Sequence, residues 1–210
     1  MLNAGALAFK EFAMREPLPL ATIHEAVLEF LRGRDDAVVF GATAVNAYVS
    51  EPRMTQDIDI MSTRARELAE ELRQHLSERF QITICVRIVG EDKGYRLFQE
   101  KETGDRHLAD VRSIGSLASA QRIEGILVLS PVELIARKVI AYRAHRNQPK
   151  AGTDMRDLAM LFLTFPELKS ESGAVSKALK TLGATAEEMN TWYELVAQEI
   201  TPPNDDDEFN

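Results

Sequence analysis

Two aspartates set two apart, Asp57 and Asp59, sit in the alternating stretch Asp57-Ile58-Asp59-Ile60-Met61. In a strand, residues two apart project from the same face. The two carboxylates would therefore stand side by side, with Ile58 and Ile60 packed behind them. Carboxylates that close repel and need a cation or a shared proton. A divalent ion answers that need, and hard oxygen donors suit Mg²⁺, with Mn²⁺ as the alternative.

A second group of residues could hold phosphate. Gly41-Ala42-Thr43 is a small-residue turn that opens a helical segment over Ala44 to Val49. Backbone N–H groups at such a helix start point outward and favour anions. Thr43 adds a hydroxyl, and Arg53, just before the acidic stretch, adds a cation. One compact unit thus combines a phosphate cradle, a metal pair and a guanidinium.

A third group lies downstream. Lys138 falls on an apolar stripe with Leu134 and Tyr142, next to Ile135 and Val139. A lysine there needs a carboxylate or phosphate partner, or must snorkel outward. Asp154 and Asp157 are three apart and share a helical face. An ion pair between helices, Lys138 to Asp157, is the plain structural reading.

These groups need elements to position them. Ala37-Val38-Val39-Phe40 reads as a short buried strand leading to Gly41. Pro52 ends the helix that follows, because the residue before a proline is pushed from the α region. Ser62 to Phe80 is a helix with Leu68, Leu72, Leu76 and Phe80 on one face. Ile82 to Val89, Tyr95 to Glu100, His107 to Arg112 and Ile123 to Leu129 read as strands. Asp110 lies in the third of these, between Ala109 and Val111.

Helices occupy the two ends of the chain. Met1 to Arg34 reads as helical, with Thr22 and Glu25 as a capping box for Ala21 to Leu31. Ser130-Pro131-Val132-Glu133 opens a helix through the Lys138 region. A linker, Asn147 to Gly152, leads to a helix capped by Thr153. Two more helices follow between Gly173 and Ile200, with Trp192 as a core anchor. The last ten residues, TPPNDDDEFN, read as a disordered acidic tail.

Composition narrows the classes. Apolar residues at 45% and charged residues at 28% describe an ordinary globular chain. The expected division is a core over residues 1–130, a helical part over 131–200 and the tail over 201–210. No apolar run is long enough for a membrane span and no leader is evident. The single cysteine, Cys85, reads as a buried thiol in a cytoplasmic protein. The histidines, His24, His75, His107 and His145, are scattered, with His24 read as a surface residue and no zinc pattern among them. A net charge of −8 argues against broad coating of nucleic acid. The stretch Pro131 to Asp157 is an exception, with six basic residues against three acids, and suits a local anionic ligand.

In order and spacing, Gly-Ala-Thr, a short helix and Arg53-x-Thr55-x-Asp57-x-Asp59 resemble the nucleotidyltransferase superfamily. The form is most similar to the AbiEii-type nucleotidyltransferases, toxins of bacterial toxin–antitoxin pairs. Ala42 stands where that pattern has a second glycine. The resemblance implies an α/β (α+β) fold, a mixed sheet flanked by helices, with a helical C-terminal part. It implies that Asp110 is a third carboxylate beside the pair, binding metal or taking the acceptor's proton. It implies further that Lys138, Lys150 and Asp154 help to hold a triphosphate and that Asp157 orients the site. The implied reaction is Mg²⁺-dependent transfer of a nucleoside monophosphate from an NTP to a hydroxyl, foremost the 3′ end of tRNA. An antitoxin protein would restrain it. Two alternatives stay open: an acceptor that is a small molecule or a protein hydroxyl, and a non-catalytic nucleotide-binding or interaction protein.

Overall fold

The computed structural model describes residues 18–102 and 104–202. The helical reading of residues 1–17 and the acidic tail from residue 203 onward lie outside the described residues. The chain divides into two compact units between Ser130 and Pro131.

The first unit contains α1 (Leu20–Leu31), β1 (Ala37–Phe40), α2 (Gly41–Asn46), β2 (Ile58–Ser62) and α3 (Ala65–Phe80). Five strands complete it: β3 (Ile84–Val89), β4 (Gly94–Gln99), β5 (Arg106–Ser113), β6 (Ala120–Ile123) and β7 (Ile126–Leu129). Among the described residues, seven strands form one sheet in the order β3-β4-β5-β2-β1-β7-β6. β2 runs parallel to β5 and β1 parallel to β7, and every other neighbouring pair is antiparallel. It is the mixed sheet flanked by helices that the resemblance implied.

Hydrophobic pattern explains the central position of β1. All four of its residues are buried, so neither face is left for polar side chains. β2 instead alternates around Asp59, with Ile58 and Ile60 buried at 1% and 0% exposure. α3 turns Leu68, Leu72 and Leu76 inward, each fully buried, and packs with β3, β4 and β5. It ends where Gln81 takes a left-handed backbone, φ 53°.

Several expectations need correction. α1 starts at Leu20 behind Pro19, with no side-chain cap, so Thr22 lies within its first turn. His24 is buried at 4% exposure, on a helix that packs against α3, β5 and β7. Cys85 is only half-buried. The strand expected over Ile123 to Leu129 is a hairpin, because Glu124 and Gly125 both take positive φ and reverse the chain. α2 begins at Gly41 and ends at Asn46, three residues earlier than expected at each end.

The second unit consists of α4 (Pro131–Ala144), α5 (Lys150–Thr164), a short 3-10 turn at Pro166–Leu168, α6 (Ala174–Thr181) and α7 (Ala186–Ala197). α4 packs against α5, α6 and α7. Trp192 is fully buried, its ring 6.0 Å from that of Phe162. α7 carries a full capping box, with the Thr185 hydroxyl and the Glu188 carboxylate satisfying each other's backbone N–H groups. α5 starts at Lys150, so Thr153 is not its cap; the Thr153 hydroxyl donates to the Lys150 carbonyl at 2.8 Å. Gly152 is simply absorbed into the first turn. No helix among the described residues is long and apolar enough to cross a membrane.

Candidate active site

The site of the first unit grows from one row of the sheet. Asp59 on β2 is the direct register partner of Asp110 on β5, and Asp110 is the partner of Arg96 on β4. Directly paired residues present their side chains on the same face. The three side chains therefore lie on one face, opposite buried Ile58, Ile60, Leu97 and Val111. Arg96 Nε donates to Asp110 Oδ1 at 3.1 Å.

Gly41 is required here for two reasons. Its φ of +68° suits glycine. A Cβ placed on it would meet Asp59 Oδ2 at 1.9 Å, far inside contact distance. The strand-to-helix turn thus presses its backbone against the carboxylate of Asp59, and only a hydrogen leaves room. Ala42, buried at 8% exposure, already carries its methyl group without conflict, which accounts for the missing second glycine. Thr43 is buried at 7% exposure, and its hydroxyl has no hydrogen-bond partner among the described residues. A buried hydroxyl without a partner is costly unless a ligand meets it.

Asp57 sits at the bend just before β2 and is fixed by its neighbours. Asn46, the last residue of α2, clamps the approach to it. Its side-chain amide donates to the Arg53 carbonyl at 2.7 Å and its oxygen accepts from the Arg53 N–H at 3.0 Å. The Thr55 hydroxyl then donates to the Asp57 carbonyl at 2.9 Å. Arg53 itself turns Nη1 to the Met54 carbonyl at 3.2 Å.

His107 is the residue that sequence reading missed. Its Nε2 lies 2.8 Å from Asp110 Oδ1 and its Nδ1 lies 3.3 Å from Asp57 Oδ2. In a regular strand, residues three apart point to opposite faces. The pairing of β4 with β5 runs Leu97 to Ala109 and then Phe98 to His107, which leaves Leu108 without a partner. That extra residue is a β-bulge, and it returns His107 to the face of Asp110. The imidazole stacks on Phe98 at 4.9 Å between centroids, and the Arg87 guanidinium covers Phe98 at 4.4 Å.

Charge follows from these contacts. Burial pushes the Asp110 carboxyl up, but the hydrogen bond and charge of His107, with Arg96, hold it below the ordinary carboxylate range. The hydrogen bond to Asp110 raises His107 above its ordinary value against the effect of burial, and Asp57 adds to the rise. One ligand atom each from Asp57, His107 and Asp110 lie within 4.8 Å of one another. The structure thus brings Asp57 together with Asp110 through His107, while Asp59 stands beside Gly41.

The second unit holds a separate cluster. Lys138 Nζ lies 2.7 Å from Asp157 Oδ2 and 3.0 Å from Asp154 Oδ1. Asp154 Oδ2 accepts a further contact from His145 Nδ1 at 2.7 Å. Both carboxylates are buried, at 3% and 0% side-chain exposure, and the lysine at 12%. Lys138 therefore neither snorkels nor stands alone, and the ion pair expected with Asp157 is present with Asp154 added. Lys150, the first residue of α5, is exposed.

Known proteins resemble the chain in fold and in family. The chain resembles the Megavirus polyadenylate synthase in fold, with a TM-score of 0.59 at 15% identity, over 75% of this chain and 34% of that one. It thus spans about a third of that protein's length. JHP933 from Helicobacter pylori is similar at a TM-score of 0.55 and 16% identity, over 91% of this chain and 90% of that one. No curated protein matches the chain. The family model for the nucleotidyl transferase AbiEii toxin of type IV toxin–antitoxin systems matches residues 25–207. The chain belongs to that family and is an AbiEii-type nucleotidyltransferase.

Proposed function

We propose that this enzyme moves a nucleoside monophosphate from an NTP to the 3′ end of tRNA, using Mg²⁺ or Mn²⁺, and that a cognate antitoxin protein restrains it in the cytoplasm. The observation that carries the reading is the pairing of Asp59 with Asp110 while the Asp59 carboxylate touches the Gly41 turn. Carboxylates and phosphate cradle then meet at one point, as transfer at an α-phosphorus requires.

The residues fit a divalent ion by their donor chemistry, with Asp57, Asp59 and Asp110 as its carboxylates. Such an ion, when bound, neutralises phosphate charge and the leaving pyrophosphate. The remaining work falls to side chains. The backbone of Gly41 and Ala42 and the buried Thr43 hydroxyl receive phosphate oxygens, and Arg53 supplies a cation. Where Asp110 does not serve as a carboxylate of the ion, it accepts the acceptor hydroxyl's proton instead. For the second unit, the family likeness supports a phosphate-binding role for Lys138 and Lys150, with Asp154 and Asp157 holding the Lys138 ammonium in one orientation.

The tRNA acceptor rests on the family likeness. A small-molecule or protein acceptor has its own support. The net charge is −8, and in the basic segment Arg137, Lys138 and Arg143 already face Glu133, Asp154 with Asp157, and Glu187. Incubation with each α-³²P-labelled NTP and with total RNA, protein extract or metabolite extract separates the readings. Label in the RNA fraction, lost in Asp59→Asn, is the expected result. Label confined to protein or metabolites overturns the tRNA reading, and no transfer to any fraction overturns the acceptor assignment altogether.

A further inference from the structure

We propose that His107 is a direct nitrogen ligand of the divalent ion, so that this site favours Mn²⁺ or Co²⁺ over Mg²⁺ more strongly than an all-oxygen site would. The inference rests on the reading that a divalent ion serves the carboxylates of the first unit.

Three observations carry it. The first is placement. Nε2 of His107 stands 2.8 Å from Asp110 Oδ1, and one ligand atom each from Asp57, His107 and Asp110 lie within 4.8 Å of one another. An ion with bonds of ~2.1 Å holds its ligand atoms ~3–4 Å apart, so this group needs to close by little around one ring nitrogen and the two carboxylates. The second is construction. The Leu108 bulge turns His107 onto the carboxylate face, where a regular strand would turn it away. The third is support. Phe98 stacks on the ring and Arg87 caps Phe98, itself paired with Asp105. That column fixes the imidazole plane. A ligand oriented by its neighbours loses less freedom on binding, and such supports tune metal affinity.

Preference follows from ligand type. An imidazole nitrogen adds more to the binding of a first-row transition ion than to that of Mg²⁺, which prefers carboxylate, carbonyl and water; the gain is smaller for Mn²⁺, itself suited to oxygen donors, than for Co²⁺. Arg96 works in the same direction. Its guanidinium on Asp110 withdraws negative charge from the site, which weakens a purely electrostatic hold on Mg²⁺ more than a bond with covalent character.

The test uses Mn²⁺ as the probe on the full chain, alone and with inorganic tripolyphosphate, which carries no nitrogen. Pulsed EPR reads nitrogen bonded to Mn²⁺. A ¹⁴N modulation in the wild type that converts to the ¹⁵N pattern in protein labelled with ¹⁵N-histidine is the expected result. In His107→Gln that signal disappears and Mn²⁺ binding weakens by about 10–100-fold. In His107→Asp the ratios of Mn²⁺ and of Co²⁺ affinity to Mg²⁺ affinity both fall, the Co²⁺ ratio by more. Mn²⁺ bound at a site removed by Asp57→Asn, with no histidine nitrogen in its spectrum, overturns the role of His107 and leaves the carboxylate site standing. No Mn²⁺ binding under either condition overturns both. The isotope experiment needs no variant, so a misfolded substitution does not blunt it.

Discussion

The two charged clusters use the same residue types and reach opposite ends. In the second unit, Lys138, Asp154, Asp157 and His145 close on one another, with the two carboxylates at 3% and 0% exposure. In the first unit, Asp57, His107 and Asp110 are each about a quarter exposed. One cluster pairs its two buried carboxylates internally, with only His145 a quarter exposed. The other faces outward, and the buried Thr43 hydroxyl in its cradle has no hydrogen-bond partner among the described residues. A closed network braces its unit and holds Lys138 in one place, while an open one is poised to receive a ligand. Substitutions should therefore weigh most on stability at the closed cluster and most on activity at the open one.

The largest effect is expected at Asp157. Removing it strands Lys138 beside one remaining carboxylate in a dry site, and breaking a buried pair from one side costs about 3–5 kcal/mol. Urea denaturation of Asp157→Ala should show that loss. Asp57→Ala, by contrast, should lie within about 1 kcal/mol of the wild type, since its carboxylate meets water and like charge, while transfer activity disappears. Adding Lys138→Met to an Asp157→Leu background should restore part of the stability, because an apolar pair leaves less charge unmatched. Equal costs at Asp57 and Asp157 would erase the distinction between strut and site.

Gly41→Ala comes next and tests the open site from its backbone. The left-handed φ and the 1.9 Å approach to Asp59 act together. The strain alone costs roughly 1–3 kcal/mol, and the carboxylate must also move. A displacement of that size at a reacting group lowers the rate by about 100-fold. Steady-state transfer assays alongside thermal melts would show both losses. An alanine variant with wild-type activity would mean that Asp59 does not need its observed position.

How much of this was legible in the chain follows from how local each feature is. Gly41, Asp57 and Asp59 are close in sequence, which was enough to single them out, although Asp57 lies in the bend before β2 rather than in the strand. Asp110 was reachable through its strand, and Lys138 through its odd position on an apolar stripe. His107 was not, because a single unpaired residue, Leu108, reverses the phase of β5, and nothing in the local pattern marks a bulge there. The β6–β7 hairpin was hidden for a similar reason. Glu124 adopts a positive φ that its residue type does not advertise. Asn46 was passed over because its partner is backbone, the Arg53 amide, seven residues away.

Asn46 therefore gives the third prediction. Asn46→Ala removes two hydrogen bonds from a buried side chain to a half-exposed loop, for a loss of about 1–2 kcal/mol. Its signature is kinetic. The loop that aims Asp57 loosens, so kcat falls while Asn46→Asp, which keeps one acceptor for the Arg53 N–H, recovers part of it.

The smallest effect is expected away from both clusters, at Asp36. Arg34 bonds both of its oxygens at 2.9 Å, and Arg64 reaches the same carboxylate at 3.0 Å. The hydrogen bond from Arg34 is the main reason that the carboxyl sits below the ordinary carboxylate range. A carboxyl with a depressed folded pKa contributes stability above its unfolded value, about 3.9, and loses it as pH falls through the folded value. The stability difference between wild type and Asp36→Asn should thus be flat from pH 7 to about pH 5 and fall away as pH drops below the unfolded value. Its plateau should stay near or below about 1 kcal/mol, since the pair is partly solvated.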